Sequence, residues 1–289
     1  MTIYDTRNSA VLPRTVTVVA DDGRELRATR FEPVVEARGA VVLVPAMATP
    51  ASFYAPFATW LAESGFHVLT FDYRGTGSRA EMRAETGDAL RWAGDAASAL
   101  EALLDEDLGV PVTLVGHSLG GQFLPFVRHD LLDRALLVAA GSGYWRLNRP
   151  NVRRWALPFF RVIAPLAMRV SGYYPGRRLG MLGDAPSAPM KQWARWCLST
   201  DYYGVDVPDL AGRLAELDLP VAAVSFTDDE LLGARSHLAL EEMYAAAPVE
   251  AHRLAPEDLG VERIGHHGFF RAPMRPSWDA AVLPHLATR

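Results

Sequence analysis

The stretch VTLVGHSLGGQF, residues 112–123, decides the fold prediction, because an apolar run ends there in a serine flanked by glycines. Ser118 stands between Gly116 and Gly120, and Gly121 follows directly. The apolar run is typical of a buried strand, and the residues after it favour a helix. A serine at a sharp strand-to-helix turn is exposed above the sheet, and small residues on either side prevent collisions. Ser118 is therefore a candidate nucleophile.

The composition is that of an ordinary globular protein, with 289 residues of which 49% are hydrophobic and 22% charged. This length fits one large domain, or one domain with an insertion. A formal net charge of −5 argues against a dedicated nucleic-acid-binding protein, which should carry a basic excess. Cys197 is the only cysteine, so neither an internal disulfide nor a cysteine metal cluster is expected.

The sequence contains no recognisable targeting or membrane-spanning segment. The N-terminal residues MTIYDTRNSAVLPRT lack a basic region followed by an apolar run, so we expect no signal peptide. The most apolar segment, residues 155–174, contains Arg161, Arg169 and two prolines, so we do not expect it to span a membrane. These features predict a cytoplasmic protein without stable membrane insertion.

Short apolar runs alternate with amphipathic stretches along most of the chain. We expect strands at residues 15–20, 26–32, 40–46, 66–73, 111–118, 134–141, 220–226 and 249–255. We expect helices at residues 52–65, 88–109, 119–132, 235–248 and 277–288. The first two strands read as an antiparallel hairpin around DDGR, and the later alternation predicts parallel strands. The fold class is therefore α/β, with a mostly parallel central sheet of about eight strands and helices on both faces.

The alternation stops between Ser142 and Asp209, where the chain has short helical patches and no clear strand. We interpret residues 142–209 as a mainly helical cap, inserted into a core formed by residues 1–141 and 210–289. Aromatic side chains there predict an apolar pocket lining or a core for the cap itself: Tyr144, Trp145, Trp155, Phe159, Phe160, Tyr173, Tyr174, Trp193 and Trp196. Arginines there are candidates for binding an anionic substrate group or for solvent exposure: Arg146, Arg149, Arg153, Arg154, Arg177 and Arg178.

A nucleophilic serine needs a base, and the base needs an acid that orients it. Two adjacent acids, Asp228 and Asp229, follow the apolar run VAAVSF, and two histidines, His266 and His267, precede the last predicted helix. The chain order Ser…Asp…His is the one that this strand–helix architecture uses. The residues alone leave the choice open within each pair.

The sequence resembles the α/β-hydrolase superfamily over most of the chain outside the insertion. GHSLGG resembles the nucleophile elbow of that superfamily, and FHVLTFDYRGTGSR resembles the strand and loop that precede it. FTDDELL and GHHGFF stand where the acid and histidine loops fall. The combination is similar to a bacterial subgroup of predicted hydrolases with no established substrate. The spacing in family loops implies that Asp229 is the acid, with Asp228 as a turn cap, and that His266, directly after a glycine, is the base.

The resemblance also implies roles for residues around the triad. The oxyanion hole is expected to use the backbone N–H of Leu119 and that of Met47, with Ala46 as the next candidate. His117 is expected at the pocket floor, and Ala46, Tyr144 and Trp145 are further candidates for substrate contact. The segment Asp72–Gly75 is expected to brace the loops around the site through hydrogen bonds.

Together these features predict a serine hydrolase that cleaves an ester or thioester of a small hydrophobic substrate through an acyl-enzyme. The alternatives are an acyltransferase or peptidase with the same triad, and a non-catalytic ligand-binding protein on the same scaffold. No HExxH and no Cys/His cluster occurs, so no cofactor and no metal are expected. The expected partner is a small-molecule acyl substrate and not a nucleic acid, and a homodimer is possible.

Overall fold

A computed structural model describes residues 10–181 and 183–288. The expectation that the N-terminus carries no signal peptide falls mostly on residues 1–9, which lie outside the described residues. No helix among the described residues is both long and apolar enough to cross a membrane.

Within the described residues, eight strands form one central sheet, and two more form a small separate ladder. The ten strands in chain order are β1 (Arg14–Val19), β2 (Glu25–Phe31), β3 (Gly39–Val44), β4 (Phe66–Phe71), β5 (Val112–His117), β6 (Arg134–Val138), β7 (Tyr174–Pro175), β8 (Asp184–Ala185), β9 (Val221–Phe226) and β10 (Val249–Leu254). The order across the central sheet is β1-β2-β4-β3-β5-β6-β9-β10. Strands β1, β2 and β4 pair antiparallel, whereas β4, β3, β5, β6, β9 and β10 pair parallel. The predicted α/β fold with a mostly parallel sheet of eight strands is confirmed.

The sheet has an apolar core on each face, as expected for parallel strands covered on both sides. Along β3, Val42 and Val44 pack into one core cluster, while Val41 and Leu43 pack into the other. All six residues of β3 and all six of β5 are buried. Because side chains alternate between faces with a period of two, a strand covered on both faces buries all of its side chains, and those of β3 are all apolar.

Twelve α-helices flank or follow these strands in the described part of the chain. They are α1 (Ala55–Glu63), α2 (Arg79–Ala84), α3 (Ala89–Leu104), α4 (Leu119–Gln122), α5 (Pro150–Pro158), α6 (Ala164–Ser171), α7 (Gly176–Leu179), α8 (Ser187–Leu198), α9 (Leu210–Ala215), α10 (Ala234–Met243), α11 (Gly265–Gly268) and α12 (Arg275–Ala281). A π-helical turn, Phe159–Ile163, joins α5 to α6. The long helix α3 begins at Asp88, whose side chain accepts the N–H of Arg91.

Three local predictions are wrong, and proline explains two of them. The helix predicted over residues 119–132 ends at Gln122 and continues as separate 3-10 turns, one of which contains Pro125. The last helix ends at Ala281 and is followed by a 3-10 turn that contains Pro284. Proline lacks the N–H that the next helical hydrogen bond needs. The insertion also contains strands, because β7 and β8 pair antiparallel.

The elements α5 to α9 and the ladder β7–β8 all lie between β6 and β9 in the chain. They therefore occupy the predicted insertion and the few residues after it. The division into a core and a cap stays a prediction about domain boundaries.

Candidate active site

The strand-to-helix turn at Ser118 has the strained backbone that its glycines suggested. Ser118 has φ of 52° and ψ of −114°, a positive-φ conformation that non-glycine residues seldom adopt. A Cβ on Gly116 would lie 2.5 Å from the Cα of Gly121, and one on Gly120 would lie even closer to the carbonyl oxygen of Val44. The glycines are therefore required by the close approach of β5, α4 and the loop after β3.

Ser118, His266 and Asp229 form one hydrogen-bonded series. The Nε2 atom of His266 lies 2.9 Å from Oγ of Ser118, and its Nδ1 atom lies 2.7 Å from Oδ2 of Asp229. Since the carboxylate can only accept, Nδ1 carries a proton, and the neutral ring then has a free lone pair on Nε2 to accept the serine O–H. The structure thus brings together the serine, the base and the acid that the sequence predicted.

Asp229 is held as a buried carboxylate. Its side chain is fully buried, and its Oδ1 atom accepts the backbone N–H groups of Leu231 and Leu232 at 2.8 and 2.9 Å. Burial tends to raise the pKa of this carboxyl, but the hydrogen bond and charge of His266 and the two backbone donors outweigh it, so the pKa is lowered. An ionised Asp229 can therefore orient and stabilise the imidazole.

The neighbouring acids hold the loop that carries the histidine. Asp228 accepts the backbone N–H groups of Ile264 at 2.8 Å and of Gly265 at 3.1 Å. Glu230 accepts the backbone N–H of His266 at 3.0 Å. Asp228 therefore caps backbone N–H groups of the histidine loop, which fits the capping role predicted for it beside Asp229 as the acid of the triad. The sequence analysis missed the hydrogen bond from His266 to Glu230, because the position of Glu230 in the sequence does not show which backbone N–H its carboxylate will accept.

His267 lines the same cavity but belongs to a different environment. Its ring packs edge-on against Phe53, with centroids 6.1 Å apart, and against His117, with centroids 5.3 Å apart. Burial, together with the nearby charge of His266, lowers the pKa of His267 to about 4. His267 is therefore neutral at neutral pH, and no hydrogen bond joins it to Ser118 or Asp229 within the described part of the chain.

The backbone donors that face the cavity near Ser118 can be separated by their partners. The N–H of Ala46 donates to Oη of Tyr54 at 2.9 Å, so this donor is already engaged. The N–H of Met47 has no acceptor among the described residues. Leu119 is the first residue of α4, and a first helical N–H has no acceptor within its own helix. Ala46, Met47 and Leu119 all line the cavity, and Leu119 and Met47 stay the predicted oxyanion donors.

His117 does not line the cavity, so its prediction as a substrate contact is wrong. It is completely buried, its Nε2 atom lies 3.0 Å from the carbonyl oxygen of His266, and its Nδ1 atom lies 2.7 Å from Oη of Tyr54. The carbonyl can only accept, so Nε2–H donates to it and Tyr54 donates to Nδ1. Burial holds the pKa of His117 well below its usual range, which fits this neutral tautomer. His117 therefore supports the histidine loop from behind.

Tyr144 and Trp145 do not line the cavity either, and their prediction as substrate contacts is also wrong. Both are half-buried. The chain turns here, because the N–H of Tyr144 donates to Oγ of Ser142 and the N–H of Trp145 donates to the carbonyl of Cys197. Their neighbour Gly143 reaches the cavity instead.

A mostly apolar cavity of about 510 Å³ opens above Ser118, between the sheet and the inserted segment. Four of the nine predicted aromatic side chains line it: Trp155, Phe159, Phe160 and Trp193. Tyr173, Tyr174 and Trp196 are instead fully buried away from it, as expected for a core of the insertion. Among the described lining residues, Arg154 carries the one permanently charged side chain, and none is an aspartate or glutamate.

The loop after β4 braces the site as the resemblance implied. Oη of Tyr73 donates to the carbonyl of Pro45 at 2.8 Å, next to the predicted oxyanion donors. Asp72 accepts the N–H of Ala51 at 2.8 Å. The guanidinium of Arg74 is bonded to the fully buried Asp95, with Nε to Oδ1 at 2.8 Å.

One group of potential metal ligands lies outside the cavity. Glu250 and His252 of β10 and His285 near the C-terminus bring three ligand atoms within 4.8 Å of one another. Spacing did not reveal this group, because His285 comes from a distant part of the sequence. The expectation that the protein needs no metal or cofactor stays a prediction.

Comparisons with known proteins agree with this architecture. The family described as serine aminopeptidase, S33, matches residues 35–175. The fold is similar to a soluble variant of monoglyceride lipase from Saccharomyces cerevisiae, with a TM-score of 0.60 and 18% identity over 87% of this chain and 88% of that one. It is also similar to a thermostable carboxyl esterase from Bacillus coagulans, with a TM-score of 0.56 and 13% identity over 84% of this chain and 90% of that one.

A third similarity is to a longer protein. The acylaminoacyl peptidase from Pyrococcus horikoshii matches 94% of this chain with a TM-score of 0.57 and 15% identity. This chain spans 40% of the length of that peptidase. At these identities the likeness concerns the fold.

Proposed function

We propose that the chain is a member of the α/β-hydrolase superfamily and a serine hydrolase that cleaves carboxylic esters or thioesters of small hydrophobic substrates, as its fold and the family match over residues 35–175 support. The proposal rests on one observation, the hydrogen-bonded series from Ser118 through His266 to Asp229. A serine hydroxyl becomes a useful nucleophile when an oriented base accepts its proton.

The reaction proceeds through an acyl-enzyme. His266 Nε2 takes the proton of Ser118 while Oγ attacks the substrate carbonyl carbon, and Asp229 stabilises the resulting imidazolium. The N–H groups of Leu119 and Met47 donate to the oxyanion. When the tetrahedral intermediate collapses, the bond to the leaving oxygen or sulfur breaks and His266 returns the proton to that atom. Water then attacks the acyl carbon with His266 as base, and Ser118 leaves with the proton.

The lining of the cavity supports an ester over an amide with a free amino group. An ammonium group in the cavity would lose its hydration and face Arg154, with no carboxylate among the described lining residues to pair with it. A neutral ester with an apolar acyl or alcohol group loses nothing comparable and buries its surface against Phe159, Phe160 and Trp193. The aminopeptidase activity named in the description of the matched family is therefore not proposed for this chain.

Parallel assays of esters and amides test this proposal. We expect hydrolysis of p-nitrophenyl acetate, butyrate and octanoate, and no measurable hydrolysis of leucine p-nitroanilide, which carries a free amino group. The control is Ser52→Ala, which removes an exposed hydroxyl outside the cavity and should leave ester hydrolysis unchanged. Faster cleavage of the aminoacyl anilide than of any ester would overturn the proposed substrate class. The expected cytoplasmic location and the possible homodimer stay predictions.

A further inference from the structure

The segment from α5 to α6 exposes large apolar side chains. Trp155, Val162, Leu166 and Val170 are 55, 60, 59 and 79% exposed, respectively. The other side of the same segment is buried through Ala156, Phe159, Ala164 and Met168. We call the exposed side the α5–α6 face, made up of Trp155, Val162, Ile163, Leu166 and Val170 together with Arg153, Arg154, Arg161 and Arg169. Contiguous exposed apolar groups of this kind mark interaction sites.

The α5–α6 face is continuous with the mouth of the active-site cavity. Trp155 and Ile163 are both exposed on this face, and both also line the cavity that contains Ser118. Met181, 40% exposed, adds a third apolar side chain at the same mouth. A surface in contact with this face would therefore adjoin the mouth of the cavity that contains Ser118.

Residues 142–183, which include α5 and α6, carry a net charge opposite in sign to that of the rest of the chain. Residues 142–183 contain eight arginines and no aspartate or glutamate. The whole chain has a formal charge of −5, so the remaining residues carry a net charge of −13. Residues 142–183 thus form a basic segment in an otherwise acidic chain, and their charge is complementary to that of an anionic partner.

The arginines of the face are available for such a partner. Arg153, Arg154, Arg161 and Arg169 are exposed, and within the described part of the chain none of them forms an ion pair. The guanidinium of Arg154 lies 6.0 Å from the ring centre of Trp155. Tryptophan and arginine side by side, above an apolar stripe, match the chemistry of the membrane–water interface.

We propose that the α5–α6 face docks on the surface of an anionic phospholipid bilayer, from which the substrate enters the cavity. Apolar side chains of this stripe would lie among the acyl chains near the headgroups, while the arginines bind the lipid phosphates. A second copy of the chain fits this face less well, because a two-fold interface would place the same four arginines against each other.

This inference deepens the proposed function, since the entry of a lipid-derived ester rests on Ser118 being a nucleophile. Binding to vesicles does not depend on that chemistry and can be measured with Ser118→Ala. Failure of docking and failure of catalysis are therefore distinguishable.

Two triple variants separate the apolar and the electrostatic contributions. The first is Val162→Ser with Leu166→Gln and Val170→Ser, and the second is Arg153→Gln with Arg161→Gln and Arg169→Gln. None of these six side chains lines the cavity, so hydrolysis of a water-soluble ester should stay unchanged. The matched control is Leu238→Gln with Arg235→Gln on α10, where an exposed leucine and an exposed arginine lie outside the basic segment.

The measurement is flotation with vesicles of phosphatidylcholine alone, or of equal parts phosphatidylcholine and phosphatidylglycerol. We expect binding to the anionic vesicles, weakened on the order of 100-fold by the arginine triple variant, from about 1 kcal/mol per basic residue near an anionic surface. The apolar triple variant should also lose binding, and the α10 control should not.

Three results would overturn the proposal. The first is equal binding of the unmodified protein and both triple variants to the anionic vesicles, and the second is no binding by any of them. The third is a dimer in analytical ultracentrifugation that the apolar triple variant dissociates, because the face would then be occupied by a second copy.

Discussion

The Nε2 atom of His266 lies 2.9 Å from Oγ of Ser118, although 148 positions of sequence separate the two residues. Their approach depends on two loops at the same edge of the sheet. Ser118 follows β5, and the loop of His266 is tied by its backbone to Asp228 and Glu230, which follow β9. Because the strands are parallel, their carboxyl ends meet at this edge, and residues from distant parts of the chain converge there.

Asp229 and Asp228 should differ sharply when each is changed to asparagine. Asp229→Asn leaves the shape intact but favours the wrong tautomer of His266, so kcat for ester hydrolysis should fall by about 10⁴. Asp228→Asn retains an acceptor for the N–H groups of Ile264 and Gly265, and we expect a loss of about tenfold or less. Steady-state kinetics on a soluble ester checks this. Equal losses in the two variants would contradict the assignment of the acid.

His267 predicts a specific dependence of stability on pH. Its pKa is about 4 in the folded protein against 6.5 for an ordinary histidine, so between these values the unfolded state binds more protons. The free energy of unfolding should therefore rise with pH through this window, by at most about 3 kcal/mol from this residue. Urea unfolding at pH 5 and pH 7 measures the difference, and His267→Asn should reduce it. If the difference in the free energy of unfolding between pH 5 and pH 7 is the same in His267→Asn, other titratable groups cause the pH dependence.

Two glycine-to-alanine changes should have opposite effects on stability. At Gly120 an added Cβ would collide with backbone at Val44 and Pro45, so Gly120→Ala should destabilise the fold by several kcal/mol and abolish hydrolysis. At Gly94, in the interior of α3, an added Cβ meets nothing within 4 Å, so Gly94→Ala should stabilise by about 0.5–1 kcal/mol. Denaturant unfolding compares the two. A tolerated Gly120→Ala would mean that the turn at Ser118 is looser than described.

Tyr54 should matter to both stability and turnover. Tyr54→Phe removes the acceptor of the Ala46 N–H and the donor to His117, leaving two buried polar groups unpaired. We expect a loss of about 1–3 kcal/mol in the free energy of unfolding. Because the Ala46 contact fixes the loop that presents Met47, kcat should fall about tenfold with little change in KM. A normal kcat in a stably folded Tyr54→Phe variant would show that the contact between Tyr54 and Ala46 does not affect the reaction.

The sequence predicted the sheet and the central residues because both leave local signals. Residues 40–46 are apolar at nearly every position, and Ser118 stands in a pattern of glycines that a tight turn requires. For Asp229 and His266, chain order narrowed the search to two pairs, and loop spacing in the family indicated one member of each. Catalytic roles for these residues stay proposals.

The residues that were misassigned or missed depend on tertiary geometry. His117 is adjacent to Ser118 in sequence, yet a strand turns successive side chains to opposite faces, and its ring points into the bonds of Tyr54 and His266. Tyr144 and Trp145 lie in a turn, and no pattern in the neighbouring sequence shows which way this turn orients their side chains. The aromatic residues of the insertion divide between cavity and core according to which side of each helix faces Ser118, and the π turn at Phe159–Ile163 shifts that periodicity.

Covalent labelling shows whether Ser118 is an activated nucleophile. The purified protein is treated with a fluorophosphonate and its intact mass is compared with that of the Ser118→Ala variant, with circular dichroism to confirm that both are folded. We expect a single adduct on the unmodified protein, on Ser118, and none on the variant. An adduct of equal yield on Ser118→Ala, or no adduct on the folded unmodified protein at any cosolvent concentration that preserves the fold, would contradict the claim that Ser118 is an activated nucleophile.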